Sequence, residues 1–258
     1  MATGEPAAHR RLARRGGRVV IAIAGFAILL GSAPAAPHEA IDAETTEGFL
    51  NRIAALNAVI ASGESGEKEA EAFYALGELV ARIMELLNRD LVMHGSELGL
   101  ASTVLVSELK AGGIALSFWP AANRYRSYLE PFEEYVALAP GGAKHADALF
   151  RILQGRFYDS FVSDPFRLLE LDWAGLVAQI EAAEAFLSRY PDHTDKEEAL
   201  FILAVDYVRA FREAPDAELA RRYRERSREA LTEFQGTYPD SLRAVAAQVL
   251  MESLPPVD

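Results

Sequence analysis

Three times along the second half of the chain, an apolar helical stretch stops at a proline and an alanine-containing stretch begins a few residues later. The first copy runs from Phe132 to Pro140 and resumes with Ala148-Leu149-Phe150. The second closes on Phe186-Leu187-Ser188-Arg189-Tyr190-Pro191 and resumes with Ala199-Leu200-Phe201. The third closes on Phe234 through Tyr238-Pro239 and continues through Ser241-Leu242-Arg243-Ala244 into Val249-Leu250. Pro140 and Pro191 lie 51 positions apart, as do the two Ala-Leu-Phe elements, and Pro239 follows Pro191 by 48. Two markers that share one offset argue against chance periodicity. A repeat of this kind confines the chain to a stack of supersecondary units, each hiding its apolar stripe against the next.

The residue types explain the punctuation. Proline clashes with a continuing helix and withholds a donor, so it ends the first helix of each pair. Thr194 with Glu197 has the spacing of a capping box, and Asp240 or Ser241 can cap the last helix. Leu176, Ile180, Ala183 and Leu187 step by three or four residues, as do Leu200, Ala204, Tyr207 and Phe211, so each set forms one helical face. The pattern predicts two antiparallel helices about Pro191, with Leu200 buried between them.

The first half is also helical. Phe49, Ile53, Leu56, Val59 and Ile60 mark one helix from about Thr45, and Ala72 through Leu87 mark a second, with Glu71, Glu78 and Glu85 on its opposite face. The glycines and serines of 61–66 form the turn of an αα-hairpin. Residues 91–120 are less regular: a shorter helix over Ser96–Leu109, a break at Gly112-Gly113 and an irregular approach to Trp119-Pro120, with a small hairpin as the alternative.

Arg10, Arg11, Arg14, Arg15 and Arg18 precede the apolar run Val19–Leu30 and the small residues Ala33-Pro34-Ala35-Ala36. That order reads as a secretory signal over residues 1–35, cleaved after Ala35. The run is shorter than the about 20 residues a spanning helix needs, although an uncleaved signal anchor in the inner membrane, with the main domain outside, is the alternative. Export places the chain in the periplasm or outside the cell, with 36–44 a flexible terminus, 45–120 an N-terminal helical region and 121–258 the repeats. Cleavage leaves 21 basic against 37 acidic side chains, moving the net charge from -12 to -16. Such a field repels phosphate backbones and argues against nucleic acid as a partner. The chain has no cysteine, which excludes disulfides and thiolate metal sites.

An amphipathic helix closed by an aromatic-Tyr-Pro element, then polar residues and an alanine-rich helix, is carried by Phe186, Tyr190 and Pro191 with Ala199, Leu200 and Ala204. It recurs in Phe234, Tyr238 and Pro239 with Ala244 and Ala247; in the first copy Ala139 stands where the tyrosine would be. Over roughly residues 125–255 the chain thereby resembles the tetratricopeptide-like proteins of the bacterial envelope, particularly the outer-membrane-assembly lipoprotein family. It differs in lacking a lipobox cysteine. The resemblance implies an all-α fold of antiparallel helical hairpins in a tetratricopeptide-like right-handed solenoid, with repeats longer than the standard unit of about 34 residues. It also implies a scaffold's role in envelope assemblies.

Candidate partner contacts are Trp119, expected to be exposed beside its proline, and the arginines Arg221, Arg222, Arg224 and Arg228. The competing reading of those arginines is a solvated helix face with ion pairs Glu218–Arg222, Arg221–Glu225 and Glu225–Arg228. Phe150, Phe157, Tyr158, Phe161, Phe166 and Trp173 read as core, with a peptide groove as the alternative. His94, His145 and His193 lack metal-ligand spacing, and the adjacent pairs Glu133-Glu134 and Glu197-Glu198 point in different directions on a helix. No cofactor is expected. The sequence therefore favours a non-catalytic periplasmic scaffold or adaptor that contacts an envelope protein or peptide, with peripheral membrane association also open. A periplasmic binder of a small molecule or peptide, with its pocket at 91–125, is the alternative, and a hydrolase the third.

Overall fold

The computed structural model describes residues 41–63, 66–95, 97–161 and 172–256; the signal segment 1–35 and Phe166 lie outside them. Helix α1 (Ala43–Ser62) starts where Asp42 Oδ1 accepts the Thr45 amide at 2.7 Å and ends at Gly63, whose φ of 58° suits a residue without a Cβ. The helix therefore begins two residues ahead of the expected Thr45, and Ala43 and Glu44 are helical rather than part of a loose terminus. Helix α2 (Gly66–Met93) packs Leu76, Leu79, Val80 and Ile83 against Phe49 and Ile53 of α1.

Helix α3 (Leu100–Ala111) begins later than the expected Ser96, after Asp90 Oδ2 has accepted the Gly99 amide at 2.8 Å. Its strand-like Ser102–Val106 run is helical because Ser102, Leu105 and Leu109 fall on one buried face; burial overrides a weak local propensity. The chain then breaks at Gly112 and Gly113, the latter at φ 89°. A two-residue antiparallel pair follows, β1 (Phe118–Trp119) with β2 (Arg124–Tyr125), fixed to α2 by Asn88, which accepts the Tyr125 amide at 2.7 Å. Trp119 is a correction to the sequence reading. It is buried, only 7% exposed, with the Arg126 guanidinium 4.1 Å from its ring centre, because the strand pairing turns its side chain inward.

The remaining helices are α4 (Glu130–Leu138), α5 (His145–Phe161), α6 (Trp173–Arg189), α7 (Lys196–Glu213), α8 (Ala217–Thr237) and α9 (Ala244–Ser253). All-α packing of helix on helix is thus the architecture of the described residues. Phe132 and Tyr135 of α4 join Ala70 of α2 with Ala148 and Ile152 of α5, and a larger core unites α5 through α9. As the sequence predicts, α7 returns along α6 after Pro191, and Leu200 is buried at 3% exposure with Leu176, Ile180 and Ala183 in the same core. Phe150 and Phe157 are core residues, and Tyr158 and Trp173 pack on that core half-buried.

The three connectors repeat atom for atom in their backbone bonding. Helices α4, α6 and α8 end at Ala139, Tyr190 and Tyr238, with φ of -129°, -128° and -128°, each amide donating to the carbonyl four residues earlier. The carbonyls of those three residues accept from Gly142, His193 and Ser241, whose own carbonyls accept from His145, Lys196 and Ala244. Ala148, Ala199 and Ala247 then occupy equivalent places, and all three are 0% exposed. A larger side chain there would separate the paired helices. The expected Thr194–Glu197 capping box does not form. Asp195 precedes the helix without a side-chain cap, and its amide donates to His193 Nδ1 at 3.1 Å. Glu197 instead accepts from Ser241 Oγ at 2.5 Å, and Ser241 Oγ also accepts the Arg243 amide.

Candidate functional site

Successive copies are locked together by polar contacts at the connectors and by aromatic pairs beneath them. Asp147 of α5 accepts from His193 Nε2 at 3.0 Å, His145 Nδ1 lies 2.8 Å from the Tyr190 hydroxyl, and Glu198 of α7 pairs with Arg243 at 2.8 Å. Phe150 meets Phe186 at 5.8 Å between ring centres, and the equivalent Phe201 meets Phe234 at 5.4 Å. Burial, ahead of the nearby Arg189 charge, lowers the pKa of His145 and so disfavours its charged form beside Tyr190. His145 and His193 thus serve the joint between two copies, whereas His94 pairs with Asp90 at the end of α2. Among the described residues, no group of three or more His, Cys, Asp or Glu is placed to hold a metal ion.

This stacking leaves an open cleft of about 480 Å³ across α6, α7 and α8. Leu187 of α6, Leu200 and Leu203 of α7 and Ala230 of α8 make its apolar surface. At one end Glu184 accepts from the Tyr207 hydroxyl at 2.5 Å and also pairs with Arg226. Burial first, and the Glu184 hydrogen bond second, push the Tyr207 phenol above its ordinary pKa, so it donates and is not a base. Lys196 and Glu233 flank the other end, and Glu229 projects from α8. This arrangement can hold an apolar group and select among charged neighbours.

A second polar cluster lies inside the core. Asp206 of α7 accepts from Gln179 Nε2 of α6 at 2.7 Å and from Arg209 Nη1 at 2.8 Å, while Arg209 Nη1 also reaches Ser160 Oγ of α5 at 2.9 Å. Three helices are thereby joined by one buried ion pair.

The sequence-selected arginines do not line the cleft. Arg228 donates to the carbonyls of Leu254 and Pro255, and Arg224 to that of Pro256, so both hold the segment after α9 against α8. Arg221 and Arg222 are exposed, and Arg222 lies 5.4 Å from the Tyr223 ring centre. Among the described residues the expected ion pairs Glu218–Arg222, Arg221–Glu225 and Glu225–Arg228 do not form; Arg228 is instead turned toward the carbonyls that follow α9. Trp119 lies in the β pair outside the cleft. Sequence reasoning missed Glu184, Tyr207 and Arg226 as a unit; only the α8 stripe Arg226-Ala230-Glu233, at helical spacing, hinted at it.

No protein-family model, no curated protein and no solved structure matches the chain.

Proposed function

We propose that the protein is a non-catalytic helical-repeat scaffold, a tetratricopeptide-like right-handed solenoid of the bacterial envelope akin to the outer-membrane-assembly lipoprotein family. Its groove between α6, α7 and α8 holds a segment of an envelope protein or peptide. The observation that carries this reading is the apolar-floored cleft spanning two successive copies, since stacked helical repeats present extended recognition surfaces of this kind. The basic and apolar residues of 10–36 support export to the periplasm with cleavage after Ala35. Among the described residues no helix is long and apolar enough to cross a membrane.

The test is a photo-crosslinking amino acid placed at Glu229 in the groove, or at Arg221 outside it, in intact cells that make the protein. A discrete adduct from position 229 and none from 221, with the mature chain beginning at Ala36 by N-terminal sequencing, is the expected result. Adducts from 221 alone would move the contact surface to the arginines. A full-length chain found only in membranes would replace cleavage by an anchor.

A further inference from the structure

Resting on that groove reading, we infer that the occupant is a polypeptide segment carrying an apolar side chain beside a lysine or arginine. The groove's charges are not equivalent. Arg226 is already committed to Glu184, and the pair is further tied to Tyr207. Glu229 and Glu233 on α8 are exposed, and neither carboxylate makes an ion pair or hydrogen bond among the described residues. The Lys196 ammonium likewise makes none among the described residues.

Two carboxylates four residues apart on one helix wall and a single ammonium, that of Lys196, therefore line a groove whose apolar surface is Leu187, Leu200, Leu203 and Ala230. Residues four apart lie on the same face of a helix, so one cationic side chain can approach both carboxylates. An acidic ligand would meet two like charges, and a like-charge contact opposes association. The surrounding field has the same sign, since the whole chain carries a net charge of -12, and it steers cationic segments inward. A neutral apolar ligand would leave the α8 carboxylates without a counter-charge. Lys196 favours an acidic residue or a chain carboxylate at the connector end, and Glu229 a basic residue farther along the α8 wall.

Fluorescence anisotropy with the full chain tests this, using short labelled peptides of alternating Leu and Lys, Leu and Glu, or Ser and Lys. Binding of the Leu/Lys peptide, at least about tenfold tighter than either other peptide, is expected. The Glu229→Lys/Glu233→Lys variant should lose it by a similar factor, and Glu229→Gln/Glu233→Gln should weaken it less. Both positions are exposed, so the variants retain the wild-type circular dichroism and thermal midpoint. Equal binding of Ser/Lys would reduce the effect to general charge attraction and overturn the inference. Preferred binding of Leu/Glu, abolished by Leu187→Lys, would overturn the charge assignment while leaving the groove in place. Binding of no peptide, or binding indifferent to both the α8 and Leu187 substitutions, would overturn the inference and the groove reading together.

Discussion

Arg209 donates to Asp206 at 2.8 Å within the α5–α6–α7 core, where Asp206 is 0% exposed and Arg209 7% exposed. Removing only the carboxylate takes the Asp206 counter-charge away from a guanidinium held in a low-dielectric interior. Asp206→Ala should therefore destabilise the protein by about 3–5 kcal/mol in urea unfolding. Asp206→Leu with Arg209→Met should recover most of that loss, because the desolvation of both ions disappears together. An additive double variant would show that the two residues are not coupled.

The same pair predicts a pH dependence. Burial pushes the Asp206 carboxyl up to about 6, outweighing the attraction of Arg209 and the Gln179 hydrogen bond, from an unfolded value of 3.8. The folded state then binds more protons than the unfolded state between those two values. Asp206 therefore contributes most favourably below about pH 4, and its contribution falls as the pH rises toward about 6. Unfolding midpoints of the wild type, measured relative to Asp206→Leu/Arg209→Met, should decline across that window. A rising difference would reverse the assignment.

Gly77 of α2 has no room for a side chain, since a Cβ built there lies 2.8 Å from the Phe132 ring. Gly77→Ala should cost about 1–3 kcal/mol through overpacking of the α2–α4 contact. At Gly48 in α1 a Cβ would meet nothing within 4 Å. Gly48→Ala should stabilise the protein by about 0.5–1 kcal/mol through helix propensity. Opposite signs in thermal or urea unfolding check the pair.

Leu200 is enclosed between α6, α7 and α8 while also forming groove floor. Leu200→Ala should lower stability by about 2–5 kcal/mol, combining lost transfer free energy with a residual cavity. An unchanged unfolding midpoint would mean that the neighbouring helices do not depend on this contact.

The repeat was legible because its markers are backbone events: Pro140, Pro191 and Pro239 stop helices, and Ala148, Ala199 and Ala247 permit close packing wherever the next helix begins. Leu200 and the α6–α7 pairing followed from periodicity alone. Trp119 did not, because its burial depends on a two-residue strand pairing held by Asn88, 37 positions from Tyr125. The capping box at Thr194 gave way to His193 for a similar reason: His193 also answers to Asp147 in the preceding copy. The groove was hidden because Glu184, Tyr207 and Arg226 lie on three different helices, and local charge density drew attention to Arg221 through Arg228 instead.

Titration of the partner recovered from the Glu229 crosslink against the full chain and its variants tests the groove most directly. Leu187→Lys and Ala230→Phe, each confirmed as folded by circular dichroism and thermal unfolding, should weaken binding by about tenfold or more, equivalent to about 1.4 kcal/mol. Arg221→Ala/Arg222→Ala should leave the affinity within about twofold, since those exposed arginines are outside the groove. Full affinity in both groove variants, or a loss confined to the arginine variant, would contradict the account.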